Sequence, residues 1–457
     1  MTQTSTPSNQ VQLSGWGANV RSRCELSEPE VPAELFSRLK ERRLIARGLG
    51  RSYGDSALNS GGQVVGMRRL DRYLSFDPST ANLTCEAGVS LAQIIRDFGP
   101  RGFFPKISPG TKFVTIGGCI ANDVHGKAHH ALGSFINSVE SMRVLLASGD
   151  VVTCSRSEHP DLFWATFGGM GLLGVVLSAT VQLMPVETAY YKETSSKAAD
   201  LDELLKVLDE TGETYPYSVS SLDVFARGKH LGRGVANVGD VAKLSDLPPA
   251  LAKDPLKLQA EPKLTVPFTL PELTLNPLSM RLVNAWIQHT QSHKGPITHY
   301  KDFTYPLDFA NDWYRAYGPR GFTQYQFVVP LKDGRESMRR ILDAIMNGSE
   351  LPFLNILKRF GKASGGILSF PTEGYTLAID FPVRDNTVAL LRRLDAMVLE
   401  AGGRIYLGKD AYVEPAMFRA MYPRIDEWLA IKAKYDPENV FVSDQGRRVG
   451  LVPSSAS

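Results

Sequence analysis

Residues 110 to 127 read GTKFVTIGGCIANDVHGK and give the strongest indication of the fold. A β-branched run at 114–116 leads into a glycine pair, and one histidine, His125, and one lysine, Lys127, follow within ten residues. Because glycine carries no Cβ, its main chain can lie directly against a ligand. The stretch therefore predicts a bare loop beside a large ligand, with a titratable side chain and a cation next to it.

The first glycine-rich segment in chain order, RGLGRSYGDS, occupies 47–56 and combines three glycines with two serine hydroxyl groups. Main-chain N–H groups in such a segment can point inward together and form a concave anion-binding site. Two segments of this kind suit a long diphosphate cofactor that lies extended between them. The alternative for either segment alone is an ordinary tight turn.

Two familiar nucleotide-binding motifs do not fit the sequence. The hexapeptide GMGLLG at 169–174 matches GxGxxG, but a dinucleotide fingerprint needs a strand before it and a helix after it. Here helix-like DLFWATF precedes the glycines and strand-like VVLSATVQLM follows them. The pair Gly126-Lys127 is followed by Ala128 and lacks the upstream glycine of a P-loop. A Rossmann site and a P-loop are therefore both disfavoured.

Composition narrows the class of protein. The chain has 457 residues, of which 43% are hydrophobic and 22% charged, a balance typical of a globular protein. The formal net charge of +3 is too small to indicate a nucleic-acid partner. Four scattered cysteines form no CxxC pair, so we expect neither a metal site nor a disulfide framework.

The N-terminus, MTQTSTPSNQVQ, is polar and lacks the layout of a signal peptide. The sequence contains no run of about 18 apolar residues that could span a bilayer. From these two features we expect a soluble chain that is made in the cytoplasm.

Secondary-structure patterns change near residue 188. Before it, a helical period at 32–43, a helix SLAQIIRDFG with Ser90 as its N-cap and strands near 139–147 and 175–184 alternate with glycine loops. After it, a helix LDELLKVLDE and the strand-like segments YSVSSLDVF, QYQFVVP and YTLAIDFPV predict an antiparallel sheet with covering helices. The chain as a whole is predicted to be an α+β protein.

The segment 245–280 is rich in proline and leucine and has neither helical nor strand periodicity. Prolines at this density exclude a continuous helix or a central strand, so we predict a mobile loop or lid. The surrounding residues 226–301 carry ten Lys or Arg and five Asp or Glu. Two interpretations stay open for this local excess of positive charge, a solvated basic face and a lid that faces an anionic ligand or membrane.

Five motifs carry a resemblance to a known family: RGLGRSYGD, EAGVSL, PGTKFVTIGGCIANDVHGK, GGMGLLGVV and YPRIDEWLAIKAKYDPENVFVSD. Together they resemble the vanillyl-alcohol-oxidase class of FAD flavoproteins, over nearly the whole chain and most weakly at 189–300. The resemblance implies a two-domain fold with an FAD-binding domain at 1–188 and an antiparallel-sheet substrate-binding domain at 189–403, whose lid is at about 245–280. It also implies a C-terminal segment, 404–457, that returns to the FAD domain.

The resemblance further implies which residues contact FAD. In this class a histidine in the first glycine segment commonly links the flavin covalently, and Arg51 stands at that position here, so we expect non-covalent FAD. The implied FAD contacts are Ala46, Arg47, Gly48, Leu49, Gly50, Arg51, Ser52, Tyr53, Gly54, Asp55, Ser56, Gly110, Thr115, Ile116, Gly117, Gly118, Asn122, Asp123, Val124, His125, Val176 and Tyr406.

On the substrate side, the resemblance implies a set of polar and cationic groups. Two roles stay open for His125, a structural hydrogen bond to the loop and proton transfer. A lone lysine such as Lys409 in LGKD is usually solvated, but its position in the family favours a catalytic role. We expect His129 and His130 to be polar surface residues. The implied catalytic residues are Lys409, His125 and Gln326, and the implied substrate-binding residues are Lys127, Gln324, Lys358 and Tyr53.

Three positions depart from the pattern of the branch that the chain resembles most. Ala378 stands where that branch has a reactive cysteine, Ser221 where it has a tryptophan, and Thr376 where it has an asparagine. These departures leave the flavin chemistry intact but bear on the exact substrate.

The resemblance implies oxidation of the 2′-hydroxyl of a polyprenylphosphoryl-β-D-ribose, the first half of an epimerisation in cell-wall arabinan synthesis. An NAD(P)H-dependent keto-reductase would complete it, at a peripheral membrane surface on the cell-envelope or periplasmic side. Two alternatives stay open. One is an FAD-dependent oxidase or dehydrogenase of a soluble sugar, alditol or aldonolactone, and the other is a non-catalytic FAD-fold or phospholipid-binding module.

Overall fold

The computed structural model describes residues 10–39, 43–261 and 264–454, and within them the strands form three sheets. The first sheet has the order β1-β2-β4-β3, with β1 antiparallel to β2 and the other neighbours parallel. The predicted strand that leads into the first glycine-rich segment is β3, which ends at Arg47. The strands of this sheet are β1 (Gln10–Ser14), β2 (Arg21–Ser27), β3 (Leu44–Arg47) and β4 (Gln63–Gly66).

The second sheet is antiparallel and has the order β5-β6-β10-β8-β9, with β7 paired to the far end of β10. The two strands predicted near 139–147 and 175–184 are its neighbours β8 and β10. Its strands are β5 (Tyr73–Asp77), β6 (Asn82–Glu86), β7 (Phe103–Pro105), β8 (Val139–Leu145), β9 (Val151–Ser155) and β10 (Val175–Pro185).

The third sheet confirms the antiparallel sheet predicted for the second half of the chain, and its order is β14-β11-β13-β12-β16-β17-β15-β18. Neighbouring strands run in opposite directions. Along each strand, every second side chain points to the same face of the sheet. The strands are β11 (Tyr190–Ala198), β12 (Tyr217–Leu222), β13 (Gly234–Val241), β14 (Ile297–His299), β15 (Phe322–Pro330), β16 (Asn355–Phe360), β17 (Gly374–Pro382) and β18 (Arg404–Ile405).

Helices of the first half cover the first two sheets and include the predicted helix after Ser90. That serine accepts a hydrogen bond from the Gln93 N–H, and the Gln93 side chain bonds back to the Ser90 N–H, which forms a capping box. The helical period at 32–43 yields α1, and residues 40–42 lie outside the described residues. The helices are α1 (Ala33–Leu39), α2 (Leu91–Phe98), α3 (Ile116–Asn122), α4 (His129–Leu132) and α5 (Pro160–Thr166).

Helices of the second half flank the third sheet, and the last three belong to the C-terminal segment. Short 3₁₀ turns, such as Pro306–Phe309 and Trp313–Tyr317, connect some of them. The helices are α6 (Leu201–Thr211), α7 (Pro249–Ala252), α8 (Pro277–Ser292), α9 (Tyr300–Thr304), α10 (Gly334–Met346), α11 (Thr387–Glu400), α12 (Pro415–Met421), α13 (Ile425–Tyr435) and α14 (Asp444–Arg448).

The C-terminal segment packs against elements from the start of the chain. Phe441 bridges to Leu44 in β3, and the Trp428 indole N–H donates to the Ala165 carbonyl at 2.9 Å. The strands of the first two sheets end by Pro185 and those of the third lie between 190 and 405. The bounds at 188 and 403 between the FAD-binding domain, the substrate-binding domain and the C-terminal segment stay a prediction.

The proline-rich segment 245–280 has regular structure only in short pieces among its described residues: α7, two 3₁₀ turns and the first turn of α8. It is held to the body at several points, because the Val266 N–H donates to the Asn311 carbonyl at 3.0 Å and Glu261 pairs with the buried Lys112. Residues 262–263 lie outside the described residues. The mobility of this segment stays a prediction.

Candidate active site

A large cavity lies between the first glycine-rich segment, α3 and one face of the third sheet. Its volume is about 280 Å³, against about 30 Å³ for a smaller pocket that shares Lys127 with it. Residues 46–53 and 108–111 line one end, and side chains of β15, β16 and β17 line the other. A ligand as long as a dinucleotide can therefore contact both halves of the chain in the larger cavity.

The first glycine-rich segment presents unpaired donors to this cavity. The main-chain N–H groups of residues 49–52 donate no hydrogen bond to any other described residue. The Nε of Arg51 is buried and likewise without a partner among the described residues, and its guanidinium lies 3.9 Å from the centroid of the Trp16 ring. Because these donors line the cavity and have no partner within the protein, the cluster fits an anionic group such as a diphosphate.

Glycine is required at position 50 by the shape of this segment. Gly50 has φ of +65°, and a Cβ there would come within 2.3 Å of the Arg47 side chain. Arg47 in turn donates to the Ser14 carbonyl at 2.7 Å and the Ala57 carbonyl at 3.2 Å. The left-handed glycine and the arginine behind it fix the curvature that exposes the N–H groups.

The stretch at 110–127 differs from the predicted loop, because its glycine pair lies in the first turn of α3. Thr115 is the N-cap and accepts from the Gly118 N–H at 3.2 Å, while the Gly117 N–H donates to the Ala87 carbonyl at 2.9 Å. These N–H groups are therefore satisfied within the protein, and a second anion site is not formed here. The glycines instead give the helix a flat surface, since a Cβ on Gly118 would have only the Thr115 hydroxyl within 4 Å.

Most of the predicted FAD contacts line the cavity, and so do all the predicted catalytic and substrate-binding residues. The FAD contacts that line it are Ala46, Arg47, Gly48, Leu49, Gly50, Arg51, Ser52, Tyr53, Ser56, Gly110, Thr115, Gly117, Gly118, Asn122, Val124, His125, Val176 and Tyr406. The others on the substrate side are Lys127, Gln324, Gln326, Lys358 and Lys409.

Gly54 and Asp55 do not line the cavity and instead join the first segment to the C-terminal segment. A Cβ on Gly54 would lie 1.9 Å from the Asp410 carbonyl oxygen, so glycine permits a close main-chain approach. Asp55 is buried and accepts from Arg448 through both carboxylate oxygens, at 2.8 and 2.9 Å. Both residues therefore have structural roles, and their contact with FAD stays a prediction.

Ile116 and Asp123 also lie away from the cavity. The side chain of Ile116 is fully buried in the main hydrophobic core. Asp123 is fully buried at the C-terminus of α3, with φ of 40°, and accepts from the hydroxyl groups of Ser134 and Ser364 at 2.8 and 3.0 Å. Its carboxylate holds neighbouring segments together rather than facing a ligand.

Sequence reasoning missed two parts of the lining. One is the 169–174 hexapeptide, which is preceded by α5 and followed by β10 as predicted, yet contributes Gly169, Met170 and Gly171 to the cavity wall. Its glycine cluster was an available signal. The other is the irregular stretch at 307–313, which includes Asp308 and gave no periodic pattern by which to find it.

The cavity wall formed by β15, β16 and β17 results from the alternation of side chains along each strand. Gln324 and Gln326 are two residues apart on β15 and point to the same face. Across the ladder, Gln326 pairs with Ala378 of β17, and one strand further Lys358 of β16 lies on the same cavity side. The alternation therefore brings together polar residues that are far apart in the chain.

His125 is a neutral, enclosed imidazole. Its Nε2 lies 2.8 Å from the amide nitrogen of Gln326, which donates to it, so the ring proton is assigned to Nδ1. The rings of Phe360 and Tyr406 lie 4.8 and 5.0 Å from it, centroid to centroid. Burial, reinforced by the nearby Lys358, holds the pKa of His125 well below its usual value. The residue is thereby suited to donate a hydrogen bond from Nδ1 rather than to take up a proton.

From the sequence we expected His129 to be a surface residue, but its side chain is buried. It is 2% exposed and packs against Phe360 with ring centroids 4.3 Å apart, and its Nδ1 accepts from the Gly361 N–H. Burial lowers the pKa of His129 to about 3. The helix α4 turns His129 inward behind His125, whereas the neighbouring His130 is half-buried and contacts the Tyr215 carbonyl.

Lys409 lies in the turn that follows β18, where its N–H donates to the Tyr406 carbonyl at 3.0 Å. Its Nζ lies 3.8 Å from the centroid of the Tyr53 ring. Burial lowers the pKa of Lys409 to about 7, with the nearby Asp380 acting in the opposite direction and Lys358 in the same one. Near neutral pH a large share of Lys409 is therefore an unprotonated amine that can accept a proton.

Asp380 is a buried carboxylate behind this lysine that sequence reasoning did not find. It accepts from the Gln324 amide at 2.6 Å and from the Tyr317 hydroxyl at 2.8 Å. Burial raises the pKa of Asp380 to about 6. The available signal was its position in YTLAIDFP, two residues after Ala378 and thus on the same face of β17.

Two further lysines give the cavity its positive character. The ammonium of Lys127 donates to the Phe303 carbonyl, and burial, with Lys294 nearby, holds its pKa well below the usual value. Burial lowers the pKa of Lys358 to about 8. With Arg51, these lysines line a single cavity, so the site favours an anionic group in addition to a diphosphate.

We expect no covalent adduct between this cavity and thiol-reactive nitroaromatic compounds, because Ala378 lines it at the position where the family resemblance implies a reactive cysteine. All four cysteines are fully buried in the cores and none lines the cavity: Cys24, Cys85, Cys119 and Cys154. Intact-protein mass spectrometry checks this, with Ala378→Cys as the positive control. An adduct on the unmodified chain would show that a thiol does reach the cavity.

Comparisons with known proteins show which families the chain is similar to. A family model described as FAD binding domain matches residues 35–155, and one described as D-arabinono-1,4-lactone oxidase matches residues 310–449. Decaprenylphosphoryl-beta-D-ribose oxidase of Mycolicibacterium smegmatis is 41% identical over 99% of this chain and 100% of its own. L-gulono-1,4-lactone dehydrogenase of Mycobacterium tuberculosis is 23% identical over 96% of this chain and 97% of its own.

Proposed function

The chain belongs to the family of FAD-dependent decaprenylphosphoryl-β-D-ribose oxidases, and from that membership we propose that it oxidises the 2′-hydroxyl of a polyprenylphosphoryl-β-D-ribose to the 2′-keto sugar. The observation that carries the proposal is a cavity that joins a diphosphate-binding segment to a wall of lysines and glutamines. The reaction is the first half of an epimerisation to the arabinose donor for cell-wall arabinan.

The residues present fit FAD. The unpaired N–H groups at 49–52 and the Arg51 guanidinium would hold the diphosphate, and the flat glycine surface of α3 would lie against the ring system. Among the lining residues in the described part of the chain, His125 is the one histidine, and its Nε2 is already bonded to Gln326. This supports a cofactor that is held without a covalent link.

The purified protein should therefore be yellow, and acid precipitation should release its flavin into the supernatant. Arg51 occupies the position of a linking histidine and cannot form such a link. Absorbance of the supernatant and pellet measures the partition. Flavin that stays with the pellet would contradict non-covalent binding and would point to His125 as the attachment site.

When bound, FAD supplies the two-electron acceptor for the hydride that leaves the carbinol carbon. The chain itself supplies the base, and we assign that role to Lys409, because its amine is partly unprotonated near neutral pH and lies on the cavity wall. We assign His125 and Gln326 to orienting the sugar by hydrogen bonds, and Lys127 and Lys358 to holding the phosphate. Gln324, which is bonded to Asp380, and Tyr53, whose ring contacts Lys409, would position that lysine.

The value of kcat/KM should rise with pH through about 7 and fall again above about 8. Lys409 must be unprotonated to accept the hydroxyl proton, so activity is low below its pKa of about 7, whereas Lys358 loses the charge that holds the phosphate above its pKa of about 8. Steady-state rates across the pH range measure this rise, and Lys409→Met should remove it from the residual activity. A rise centred well below 6 would favour His125 instead.

A soluble aldonolactone is the second candidate substrate, and the match of residues 310–449 to the D-arabinono-1,4-lactone oxidase family favours it. The lysines at the cavity wall argue for a phosphorylated substrate, since a neutral lactone offers them no charged partner. The identity of 41% over the whole chain also exceeds the 23% to the lactone dehydrogenase.

Incubation of the purified protein with a polyprenylphosphoryl ribose and a redox dye tests the function directly. Reduction of the product with borodeuteride should place one deuterium at C2′. Parallel reactions contain free sugars, alditols and aldonolactones. Faster dye reduction with a lactone than with the lipid-linked ribose would overturn the assignment.

The proposed product needs a second enzyme, because a 2′-keto sugar must be reduced again to complete the epimerisation. We propose an NAD(P)H-dependent keto-reductase as the partner and the surface of the cell-envelope membrane as the place of reaction. Among the described residues, no helix is long and apolar enough to cross a membrane. A substrate whose polyprenyl chain stays in the bilayer supports a reaction at that membrane surface.

A further inference from the structure

Helix α8 carries an apolar stripe that faces away from the protein. The stripe consists of Leu278, Leu282 and Trp286, which are 69%, 66% and 62% exposed. Residues four apart lie on one face of a helix, so the three side chains form a continuous row. Large apolar side chains clustered at a surface mark a site of interaction rather than ordinary exposure.

The opposite face of α8 fixes this orientation. Met280 is 1% exposed, and Asn284 is buried and donates to the carboxylate of Asp223 at 2.8 Å. Asn237 of β13 donates to the Gln291 side chain at 3.0 Å. These contacts hold the helix on the third sheet, so the apolar stripe is a stable feature of the surface.

The stripe is on the same side of the third sheet as the cavity. Ser221 of β12 contacts Gln288 of α8, and Val219, two residues earlier on the same face of β12, lines the cavity. The segment before α8 adds exposed apolar side chains near the cavity rim, where the Val266 N–H bonds to the carbonyl of the rim residue Asn311. These side chains are Leu264, Phe268 and Leu273, which are 60%, 63% and 84% exposed.

Basic groups outnumber acidic ones along the stripe. Residues 273–301 contain no Asp or Glu and include Arg281, Lys301 and three histidines, while Lys294 pairs with Glu193 of β11. An anionic lipid surface attracts basic groups near its headgroups, and tryptophan is enriched at that interface. Exposed leucine and tryptophan beside basic groups match the composition of helices that lie in a membrane surface.

We propose that the apolar stripe of α8 inserts into an anionic bilayer and places the cavity mouth at the membrane surface. This inference rests on the proposed function, because a polyprenyl tail in the bilayer must reach the cavity from there. Arg281 then meets lipid phosphates, and Trp286 lies at the headgroup level. The surface of α8 thereby attaches the protein to the membrane surface.

Sedimentation of the flavin-loaded full chain with vesicles tests the inference. The vesicles contain either phosphatidylglycerol with phosphatidylcholine or phosphatidylcholine alone, and we expect binding to the first kind. Replacement of Leu282 and Trp286 by Gln should lower the partition coefficient by roughly tenfold or more, since two interfacial apolar side chains are lost. The matched control is Leu74→Gln with Val31→Gln, which alters side chains that are 52% and 40% exposed outside the third sheet.

The proposal would be overturned if wild-type protein did not bind anionic vesicles, or if the stripe variant bound them as well as wild type. A stripe variant that loses only self-association in light scattering would also overturn it and would assign the face to a second copy. Turnover of a water-soluble, short-chain prenylphosphoryl ribose should be unchanged in the variant. Failure of that turnover in wild type would contradict the proposed function alone, because vesicle binding is measured without substrate.

Discussion

Replacing Lys409 by methionine should abolish reduction of the flavin by substrate while FAD stays bound. The lysine is the cavity group whose pKa, lowered to about 7, matches a base at neutral pH. Loss of a positioned acid–base group typically costs on the order of 10²-fold or more in rate. Rapid mixing with saturating substrate, followed by flavin absorbance, measures the effect.

The design of this variant separates chemistry from folding. Methionine keeps most of the length and the apolar stem, and the Lys409 main-chain bond to Tyr406 does not depend on the side chain. Lys362→Met, at an exposed position near the third sheet, is the matched control and should reduce flavin normally. A Lys409 variant within a factor of about two of wild type would remove the lysine from the mechanism and make His125 the leading candidate base.

Replacing Gly118 by leucine should prevent the protein from retaining FAD. The only atom within 4 Å of a Cβ at this position is the Thr115 hydroxyl, at 3.1 Å, so the rest of the side chain would extend into the cavity. A steric conflict of about 1–3 kcal/mol corresponds to a loss of affinity on the order of tenfold to a hundredfold. The measurement is flavin content per protein after gel filtration.

Two further variants serve as controls for the loss of flavin from Gly118→Leu. Gly295→Leu adds the same side chain where a Cβ would meet nothing within 4 Å, outside the cavity, and should keep its flavin. Gly118→Ala adds only the Cβ in a helix that favours alanine and should retain more flavin than the leucine variant. Normal flavin content in Gly118→Leu would show that the surface of α3 does not face the cofactor.

The sheet and most of the cavity wall could be predicted from the sequence, because strand alternation and the glycine segments are local signals. Gln324 and Gln326 share a face whatever the rest of the fold does. The glycine-rich segment before Tyr53 forms the unpaired donor cluster that its composition suggests. The α+β class, the FAD domain and the family resemblance are confirmed by the comparisons.

The missed features depend on tertiary contacts. The glycine pair at 117–118 reads as a loop, but the Thr115 cap and the bonds to β6 and its turn convert it into a helix whose N–H groups are already paired. His129 looks like a surface residue in a polar sequence, yet α4 turns it against Phe360. Asp380 gains its role only when β17 pairs with β15 and places it beside Gln324.

Anaerobic mixing of the flavin-loaded protein with a polyprenylphosphoryl ribose shows whether this sugar reduces the flavin. The absorbance of oxidised flavin should bleach in a single turnover without any added acceptor, because the substrate itself delivers the two electrons. A free aldonolactone at the same concentration should leave the flavin oxidised. Bleaching by the lactone, with none by the lipid-linked ribose, would contradict the account.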